Sequence, residues 1–480
     1  MNGAEAERES QKIAAFFEPQ ERFRFECTID HGSYGVTCRL VELGPARRLV
    51  PAIPPAAPMG ERVKKRIRSF TPPGLAETAQ NALRGFKRLK AQDAKGVIRA
   101  VKRIVTPPGR QRSASPDLEG KTELRRLCLK RSFKEEGIES LRDEIEILRA
   151  INGSIHTVGL VAYRDESIPN AHSLARTPFP RTPTRGSDFL AGLPGPTLVI
   201  EYLENGSLLR LIRRLISKRK EPIPNRVLWA IYLCAVRACI ALACPKRLNP
   251  GTFSVLEQLP PESVPLPQRD LVHGDLHVGN LMFGDIDARL AEHTLMPVMK
   301  LIDFGITYVR DQAVQINLFD VTQAVYRLIV RQPSFDCHSS ERGKYKNIET
   351  HAYWLSESPS TADLGLETIA QGEIGLETVK NFDGHIRRNL DPELRDIICR
   401  SMAVKSQDRP TLSQVLERAV NGVATKTAAS YTLNEVSETD DDVRAFVQQM
   451  ILDPDANDDA QTPQQSGASG SSSDILQIYT

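Results

Sequence analysis

Residues 271–283 read LVHGDLHVGNLMF. An apolar pair opens this stretch, a His-Gly-Asp-Leu-His run follows, and Asn280 stands five residues after Asp275. A second stretch, VMKLIDFG, places Asp303 at the end of another apolar run. Strand-like apolar residues flank both polar runs, so the sequence predicts two loops that each present a carboxylate beside a short strand.

Three stretches nearer the N-terminus precede these loops. DHGSYGVT (30–37) surrounds a tight glycine turn with strand-like residues, and RAVKRI (99–104) places a Lys in a strand-like run. LRDEIEILRAI (141–151) places a Glu among helically spaced apolar residues. In this order the stretches resemble the catalytic segments of the eukaryotic protein kinase superfamily, over about residues 22–425.

The resemblance implies phosphoryl transfer that depends on ATP and Mg²⁺, in which positioning and charge neutralisation carry the rate. By this resemblance Asp275 accepts or orients the proton of the substrate hydroxyl, while Asn280 and Asp303 hold the Mg²⁺ ions. Lys102 contacts the α- and β-phosphates of ATP, and Glu144 on the following helix orients that lysine.

The resemblance also implies residues that bind the nucleotide. Gly32 and Gly35 match two glycines of the family's phosphate loop, where backbone N–H groups approach the triphosphate because no side chain intervenes. TLVIEYLENGSL (197–208) resembles the strand and hinge that contact adenine, so Glu201 and Leu203 are predicted to offer main-chain hydrogen bonds.

The fold implied by the resemblance is α+β and bilobal, with a small antiparallel-sheet N-terminal lobe and a larger helical C-terminal lobe. Apolar spacing predicts strands within 23–43 and at 95–105, a helix from about 122 to 152, and later helices near 316–331, 391–404 and 411–424. The predicted organisation comprises an N-terminal extension at 1–21, an N-lobe at 22–203 with insertions at 44–95, 106–120 and 165–196, a C-lobe at 204–425, and a disordered acidic and Ser-rich tail at 426–480.

The segment that follows the DFG-like stretch is short. Only 17 positions separate Asp303 from Asp320, the residue that resembles the Asp at the start of the family's central helix, and no Ala-Pro-Glu lies between them. Gly274 replaces the Arg that usually grips a phosphorylated activation loop. Activation by loop phosphorylation is therefore not expected. Arg409 in DRPTLSQVL (408–416) matches the Arg whose usual partner is the missing Glu.

His277 stands where the serine/threonine kinases usually have Lys. Its imidazole can donate to a phosphate oxygen, although it is mostly uncharged at neutral pH. HGDLHVGN (273–280) is therefore more similar in this respect to the loop of aminoglycoside and choline kinases.

Three functions remain open from the sequence. The superfamily match favours a divergent protein serine/threonine kinase that acts on a protein substrate without loop phosphorylation. Gly274, His277 and the short segment favour a kinase of a small hydroxyl-bearing molecule. A non-catalytic, pseudokinase-type binding module is favoured by Asp30, a carboxylate in the phosphate loop, and by the missing peptide platform.

The composition limits the alternatives. Net charge is +3, from 63 basic and 60 acidic residues, and the eight cysteines include no CxxC pair, so no metal site is predicted from spacing. The N-terminus is polar, which predicts an intracellular protein, cytoplasmic or nuclear, without a membrane partner. VLWAIYLCAVRACIALAC (227–244) is interpreted as a buried helix because Arg237 interrupts it. The basic run within 44–95 is interpreted as a solvated charge run, so nucleic acid is not expected as a partner.

Overall fold

The computed structural model of the chain describes residues 3–31, 35–45, 121–132, 134–165, 189–218, 223–245, 254–261, 264, 266, 269–332, 342–356, 389–432, 434 and 436–453. The chain divides into a large unit of residues 1–41 and 126–480 and a second unit of residues 42–125. Of the second unit, 42–45 and 121–125 are described, and there Arg125 Nε donates to Glu42 Oε2 at 2.7 Å. Every described site residue belongs to the large unit.

The described chain is a mixed α+β protein with a small antiparallel sheet and several helices. The main sheet has the strand order β1-β2-β3-β5-β4, and β5 runs antiparallel to both of its neighbours. The strands predicted on either side of the glycine turn and near residue 200 are confirmed. The five strands are β1 (Phe23–His31), β2 (Gly35–Pro45), β3 (Lys121–Ser132), β4 (Leu160–Arg164) and β5 (Thr197–Glu201).

Helices and short two-stranded ladders make up most of the remainder, and the three later helices predicted from apolar spacing are confirmed. The α-helices of the described residues are α1 (Gly3–Phe17), α2 (Glu135–Ala150), α3 (Leu208–Ser217), α4 (Asn225–Ala243), α5 (Ala313–Val330), α6 (Pro392–Ser401), α7 (Leu412–Thr425) and α8 (Asp440–Val447). The ladders are formed by β6 (Arg269–Val272) with β9 (Tyr308–Asp311), β7 (Leu281–Phe283) with β8 (Met299–Leu301), and β10 (Gly343–Tyr345) with β11 (Ile348–Thr350).

The helix predicted from about 122 to 152 is wrong in its first third, where β3 lies instead. Leu127 and Leu129 are buried in one apolar cluster, whereas Cys128 is buried in another, so burial alternates with the two-residue period of a strand. The helical spacing of apolar residues from Ile138 onward is confirmed. The helix that contains them begins at Glu135, well after the predicted start near residue 122. The structure therefore places an unpredicted strand directly before α2.

The main sheet buries both of its faces. On one face Ile13 and Phe17 of α1 pack with Leu127 and Leu129. On the other face Cys128 belongs to the large core that contains α2 and the later helices. Alternation then directs the next residue but one, Lys130, to the α2 side of the sheet.

Helix α4 passes the length and hydropathy test for a membrane span among the described residues, yet 94% of its apolar window is buried inside the protein. Arg237 in its middle donates from Nε to Glu292 Oε2 at 3.3 Å. The charge that would be costly in lipid is therefore neutralised within the fold. The interpretation of this segment as a buried core helix is confirmed.

The prediction of a disordered tail from residue 426 does not hold up to residue 453. Thr439 caps α8, and the acidic run Asp440–Asp442 occupies its first turn, where carboxylates are favourable to the helix dipole. A short π-helical turn, Gln448–Leu452, continues the chain. Four apolar residues of this tail are at most 1% exposed: Val443, Val447, Met450 and Ile451.

Candidate functional site

Two ladders hold the two predicted loops side by side. The loop 273–280 connects β6 to β7, and the loop 302–307 connects β8 to β9. Because β6 pairs with β9 and β7 pairs with β8, the two loops lie next to each other. Ile302 donates its N–H to the carbonyl of Asn280 at 3.0 Å, which joins the loops directly. The fold thereby brings Asp275, Asn280 and Asp303 to one region.

Asp275 is bonded to Asn280. The Asn280 Nδ2 donates to the Asp275 main-chain carbonyl at 2.8 Å and to its Oδ2 at 3.1 Å. The amide therefore fixes the carboxylate, which remains 46% exposed and can be reached by a substrate.

His277 is turned toward the same carboxylate. Its Nδ1 accepts the Gly279 N–H at 2.9 Å, so the ring proton lies on Nε2, which is 3.6 Å from Asp275 Oδ1. A Cβ at residue 279 would lie 2.6 Å from the His277 ring, which explains the glycine between His277 and Asn280. Burial alone would raise the pKa of Asp275, but the polar Nε2–H of His277 and the hydrogen bond from Asn280 outweigh it, and the pKa is lowered.

His273 fixes the start of the loop from beneath. It is fully buried, its Nε2 donates to the Ile302 carbonyl at 3.0 Å, and its Nδ1 accepts the Asp275 N–H at 3.3 Å. Burial lowers the pKa of His273 to about 4, so the ring is neutral at physiological pH. His273 therefore packs beneath the site as a neutral ring.

A pH effect follows from this burial. Because the pKa of His273 lies near 4 in the fold and near 6.5 in the unfolded chain, the unfolded chain binds the proton more readily. The stability contributed by neutral His273 is complete above about pH 6.5 and is lost as the pH falls toward 4. Between about pH 7 and pH 5 we expect this residue alone to cost about 2 kcal/mol of the free energy of unfolding.

Urea unfolding of the wild type and of His273→Gln at several pH values measures this contribution. Subtracting the two pH profiles cancels the other titrating groups, and the wild type should lose about 2 kcal/mol more than the variant between about pH 7 and pH 5. Parallel profiles for the two proteins would contradict the assignment.

Asn317 on α5 is a site residue that the sequence analysis missed. Its Oδ1 accepts the His273 N–H at 3.0 Å, and its Nδ2 donates to the Leu271 carbonyl at 2.7 Å. The central helix therefore holds the loop through Asn317, one turn before Asp320. An amide that faces two main-chain groups can satisfy a donor and an acceptor together, which a carboxylate cannot do.

The backbone conformation at residue 274 requires a glycine, in addition to the reason argued from the sequence. Its φ is +80°, a left-handed conformation that side chains disfavour, and a Cβ there would lie 2.6 Å from the Ile306 carbonyl. An Arg at this position would require the loop 302–307 to shift.

Gly274→Ala should therefore destabilise the protein more than the left-handed backbone conformation alone would, because the added Cβ also meets the Ile306 carbonyl. Gly195 is a matched control, because its φ is +77° but no atom lies within 4 Å of its added Cβ. We expect about 1 kcal/mol for Gly195→Ala and about 3 kcal/mol for Gly274→Ala, measured by chemical unfolding. Equal losses would show that the Ile306 contact relaxes freely.

Lys130 on β3 joins two of the predicted acidic residues. Its Nζ donates to Glu144 Oε1 at 2.8 Å and to Asp303 Oδ1 at 3.0 Å. Glu144 is 3% exposed and also accepts the main-chain N–H of Phe304. Burial would lower the pKa of Lys130, but the two carboxylates outweigh it and raise the pKa, so the ammonium stays charged.

Lys102, the lysine predicted for this role, lies outside the described residues, as does Gly32. Within the described chain the lysine that pairs with Glu144 is Lys130. A signal for it was present, because the run LRRLCLKRS contains a Lys and directly precedes the helix that carries Glu144. Asp143 and Glu146, the competing carboxylates, are exposed on α2.

Asp303 adopts a strained backbone conformation, with φ of +66°. Asp tolerates the left-handed region at a cost of about 1 kcal/mol, and such outliers persist where neighbouring contacts enforce them. Ser140 of α2 donates its hydroxyl to the Gly305 carbonyl at 2.9 Å, and Phe304 packs against His273. These contacts hold the Asp303 carboxylate toward Lys130.

Gly35, the described glycine of the phosphate-loop stretch, opens β2. A Cβ on it would lie 2.3 Å from the Arg131 carbonyl on β3, so a larger residue would push these strands apart. Asp30, at the end of β1, is exposed. The requirement for glycine at residue 35 therefore has a packing origin here.

Glu201 and Leu203 lie at the end of β5. The Glu201 side chain accepts the Gly159 N–H and the Lys300 ammonium, each at 2.6 Å, so it ties β5 to β8. The Leu203 side chain is buried, whereas its N–H makes no hydrogen bond within the described residues. The main chain at Leu203 can therefore serve a ligand.

Asn280 and Asp303 have side-chain oxygens that can bind a hard cation such as Mg²⁺. In the hydrogen bonds of the described residues, Asn280 uses only its Nδ2 and Asp303 uses only its Oδ1. The Asn280 Oδ1 and the Asp303 Oδ2 are therefore available to a ligand. Mg²⁺ prefers carboxylate and amide oxygens of this kind. Asp303 is 48% exposed, so a hydrated ion can approach it.

The segment after Asp303 is as short in the structure as in the sequence. Helix α5 already begins at Ala313, and the intervening strand β9 is exposed along its length. Arg409, which lacks its usual Glu partner, donates to the carbonyls of Ala403 at 2.9 Å and Gln315 at 3.1 Å and lies over the Phe319 ring. Its role here is to fix the start of α5.

No protein-family model matches the chain, and no curated protein matches it either. The kinase-like interpretation therefore rests on the residues and contacts described above.

Proposed function

We propose that the protein is an ATP- and Mg²⁺-dependent phosphotransferase with a bilobal, protein kinase-like fold. The observation that carries the proposal is the bridge from Lys130 to both Glu144 and Asp303, beside the bonded pair of Asp275 and Asn280. Five residues that come from four separate stretches of the sequence meet in this arrangement. Such a meeting has no evident structural need, because a buried ion pair contributes little net stability.

Each residue has a distinct task in the proposed reaction. Lys130 would place its ammonium against phosphate oxygens, while Glu144 holds that lysine from the buried side. Asp303 and Asn280 would hold Mg²⁺, which neutralises phosphate charge when bound. Asp275 would accept the proton of the acceptor hydroxyl, since its lowered pKa keeps it ionised at neutral pH.

The surface beside Asp275 favours a protein as the phosphate acceptor. Ile306, Tyr308 and Val309 follow the DFG-like stretch and are 59%, 43% and 51% exposed. An apolar strip on an exposed strand suits an extended peptide better than a small polar molecule. We therefore propose a protein hydroxyl, on Ser or Thr, as the acceptor.

A small hydroxyl-bearing molecule is the second candidate. The short segment before α5 supports it, because little chain is present to form a broad platform for a peptide. His277 supports it as well, since its Nε2–H lies close enough to Asp275 to contact a compact acceptor.

Thermal unfolding with and without Mg-ATP tests the proposal first. A ligand at about 100-fold above its Kd should stabilise the protein by about 2.7 kcal/mol. No shift at millimolar Mg-ATP would sink both enzymatic candidates and leave a non-catalytic binding module.

If Mg-ATP stabilises the protein, labelled ATP offered with protein and small-molecule panels separates the two acceptors. Phosphate on Ser or Thr of a protein supports the first candidate. Label only in small molecules supports the second. Binding without transfer to either panel would contradict phosphotransfer.

A further inference from the structure

Four buried residues lie together on segments that are far apart in the sequence and outside the site above. His156 lies in the loop before β4, Cys234 lies on α4, and His293 ends the short helix Ala291–His293. Glu257 comes from the described segment 254–261. All four are at most 3% exposed.

Three of these side chains direct ligand atoms at one point. A ring nitrogen of each histidine and the Cys234 Sγ lie within 4.8 Å of one another. The two Nε2 atoms are 3.1 Å apart. Two nitrogens that bind one tetrahedral zinc at about 2.0–2.1 Å are separated by about 3.3 Å, so the pair is already near that spacing.

Glu257 prepares His156 for this role. Its Oε2 lies 2.6 Å from the His156 Nδ1, and its Oε1 accepts the His156 main-chain N–H at 2.8 Å. The carboxylate therefore holds the proton on Nδ1 and leaves the Nε2 lone pair facing His293 and Cys234. A carboxylate behind a histidine ligand is the usual device for orienting imidazole toward a metal.

The charges of this cluster balance when zinc is bound. A divalent ion gives +2, the Cys234 thiolate gives −1 and the Glu257 carboxylate gives −1, so the buried site is neutral. The neighbouring Arg237 is already neutralised by Glu292. Zinc binds the Cys234 thiolate and two neutral imidazoles, so binding releases to solvent both the thiol proton and the second proton of His156, whose pKa Glu257 raises against the effect of burial.

We propose that His156, Cys234 and His293 bind a zinc ion, with Glu257 as the carboxylate that orients His156. Two nitrogens and one thiolate suit Zn²⁺, and three protein ligands leave one position for a small ligand such as water. The ion joins α4 to the loop that contains His156 and to the short helix Ala291–His293. Through His156 it also supports β8, because the His156 carbonyl accepts the Leu301 N–H at 2.9 Å, two residues before Asp303.

The metal content of the untagged full-length protein tests the proposal. We expect about one zinc per chain by elemental analysis. Replacing zinc with Co²⁺ should give the visible bands of a four-coordinate site and a near-ultraviolet thiolate-to-cobalt band. A wild-type chain that carries no zinc and takes up no Co²⁺ would overturn the proposal, whether or not the protein binds ATP.

Two variants with a matched control locate the site. Cys234→Ala should lower the bound zinc at least tenfold and abolish the thiolate band, while Cys239→Ala, on the same helix and equally buried, should keep both. Glu257→Gln should weaken zinc binding about 10–100-fold but keep the thiolate band. Full zinc and an unchanged Co²⁺ spectrum in Cys234→Ala would refute the ligand set. If Cys234→Ala does not fold, the wild-type Co²⁺ spectrum still decides.

Discussion

Replacing Lys130 with Met is expected to lower phosphotransfer at least about 100-fold and to remove most of the stabilisation by Mg-ATP. The substitution removes the cation that faces phosphate oxygens, and removing one such electrostatic group typically costs a factor of about 100–1,000 in rate. It also leaves the Glu144 and Asp303 carboxylates without the ammonium that bridges them. Initial rates with labelled ATP and thermal unfolding with Mg-ATP measure the two losses.

Lys102→Met is the matched control, because it removes the same group from the lysine that the sequence resemblance favoured. We expect its rate and its thermal shift to equal those of the wild type. Lys130→Arg should keep the charge and the fold but transfer phosphate more slowly, since a planar guanidinium cannot reproduce the ammonium's contacts. The reverse result, with Lys102 essential and Lys130 dispensable, would contradict the assignment.

Asp275→Asn is expected to lower the turnover rate about 1,000-fold while it leaves stabilisation by Mg-ATP almost unchanged. The amide keeps the size of the side chain but cannot accept the hydroxyl proton, and general-base catalysis contributes a factor of about 100–10,000. Nucleotide binding should survive, because Lys130 and Asp303 are intact.

Single-turnover assays and thermal shifts on the same preparation separate these effects. Asp287→Asn, at an aspartate whose described partner is Arg289, serves as a control for the loss of one carboxylate. Wild-type turnover in Asp275→Asn would refute the proposed base. Loss of the thermal shift together with turnover would show that Asp275 acts in nucleotide binding instead.

The arrangement of the loop 273–280 could be predicted from the sequence, because its polar residues lie within eight positions of one another. Asp275 and Asn280 are five residues apart, and a short loop between strands brings them together in any case. The partner of Glu144 could not be chosen in the same way. Two strand-like runs contain a Lys, and the better motif match, RAVKRI, competed with a strand whose apolar residues also fit a helix.

Other features of the fold depend on contacts between residues distant in the chain, which spacing does not reveal. His156, Cys234 and His293 are separated along the chain by about 60 to 80 residues, so a search for closely spaced motifs such as CxxC could not find their cluster. Asn317 was missed because the resemblance pointed to Asp320 on the same helix. The acidic run in the first turn of α8 was interpreted as disorder, although carboxylates in a first turn also stabilise a helix.

Nine residues, 304–312, separate Asp303 from the start of α5, and both ends of this run are held by ladders and by buried Phe304. Because this segment is short and paired at both ends, a large displacement of it is not expected to produce an inactive conformation. If the protein transfers phosphate, this segment would offer no switch of its own, and regulation would have to act on another part of the site, such as the access of a substrate to Asp275.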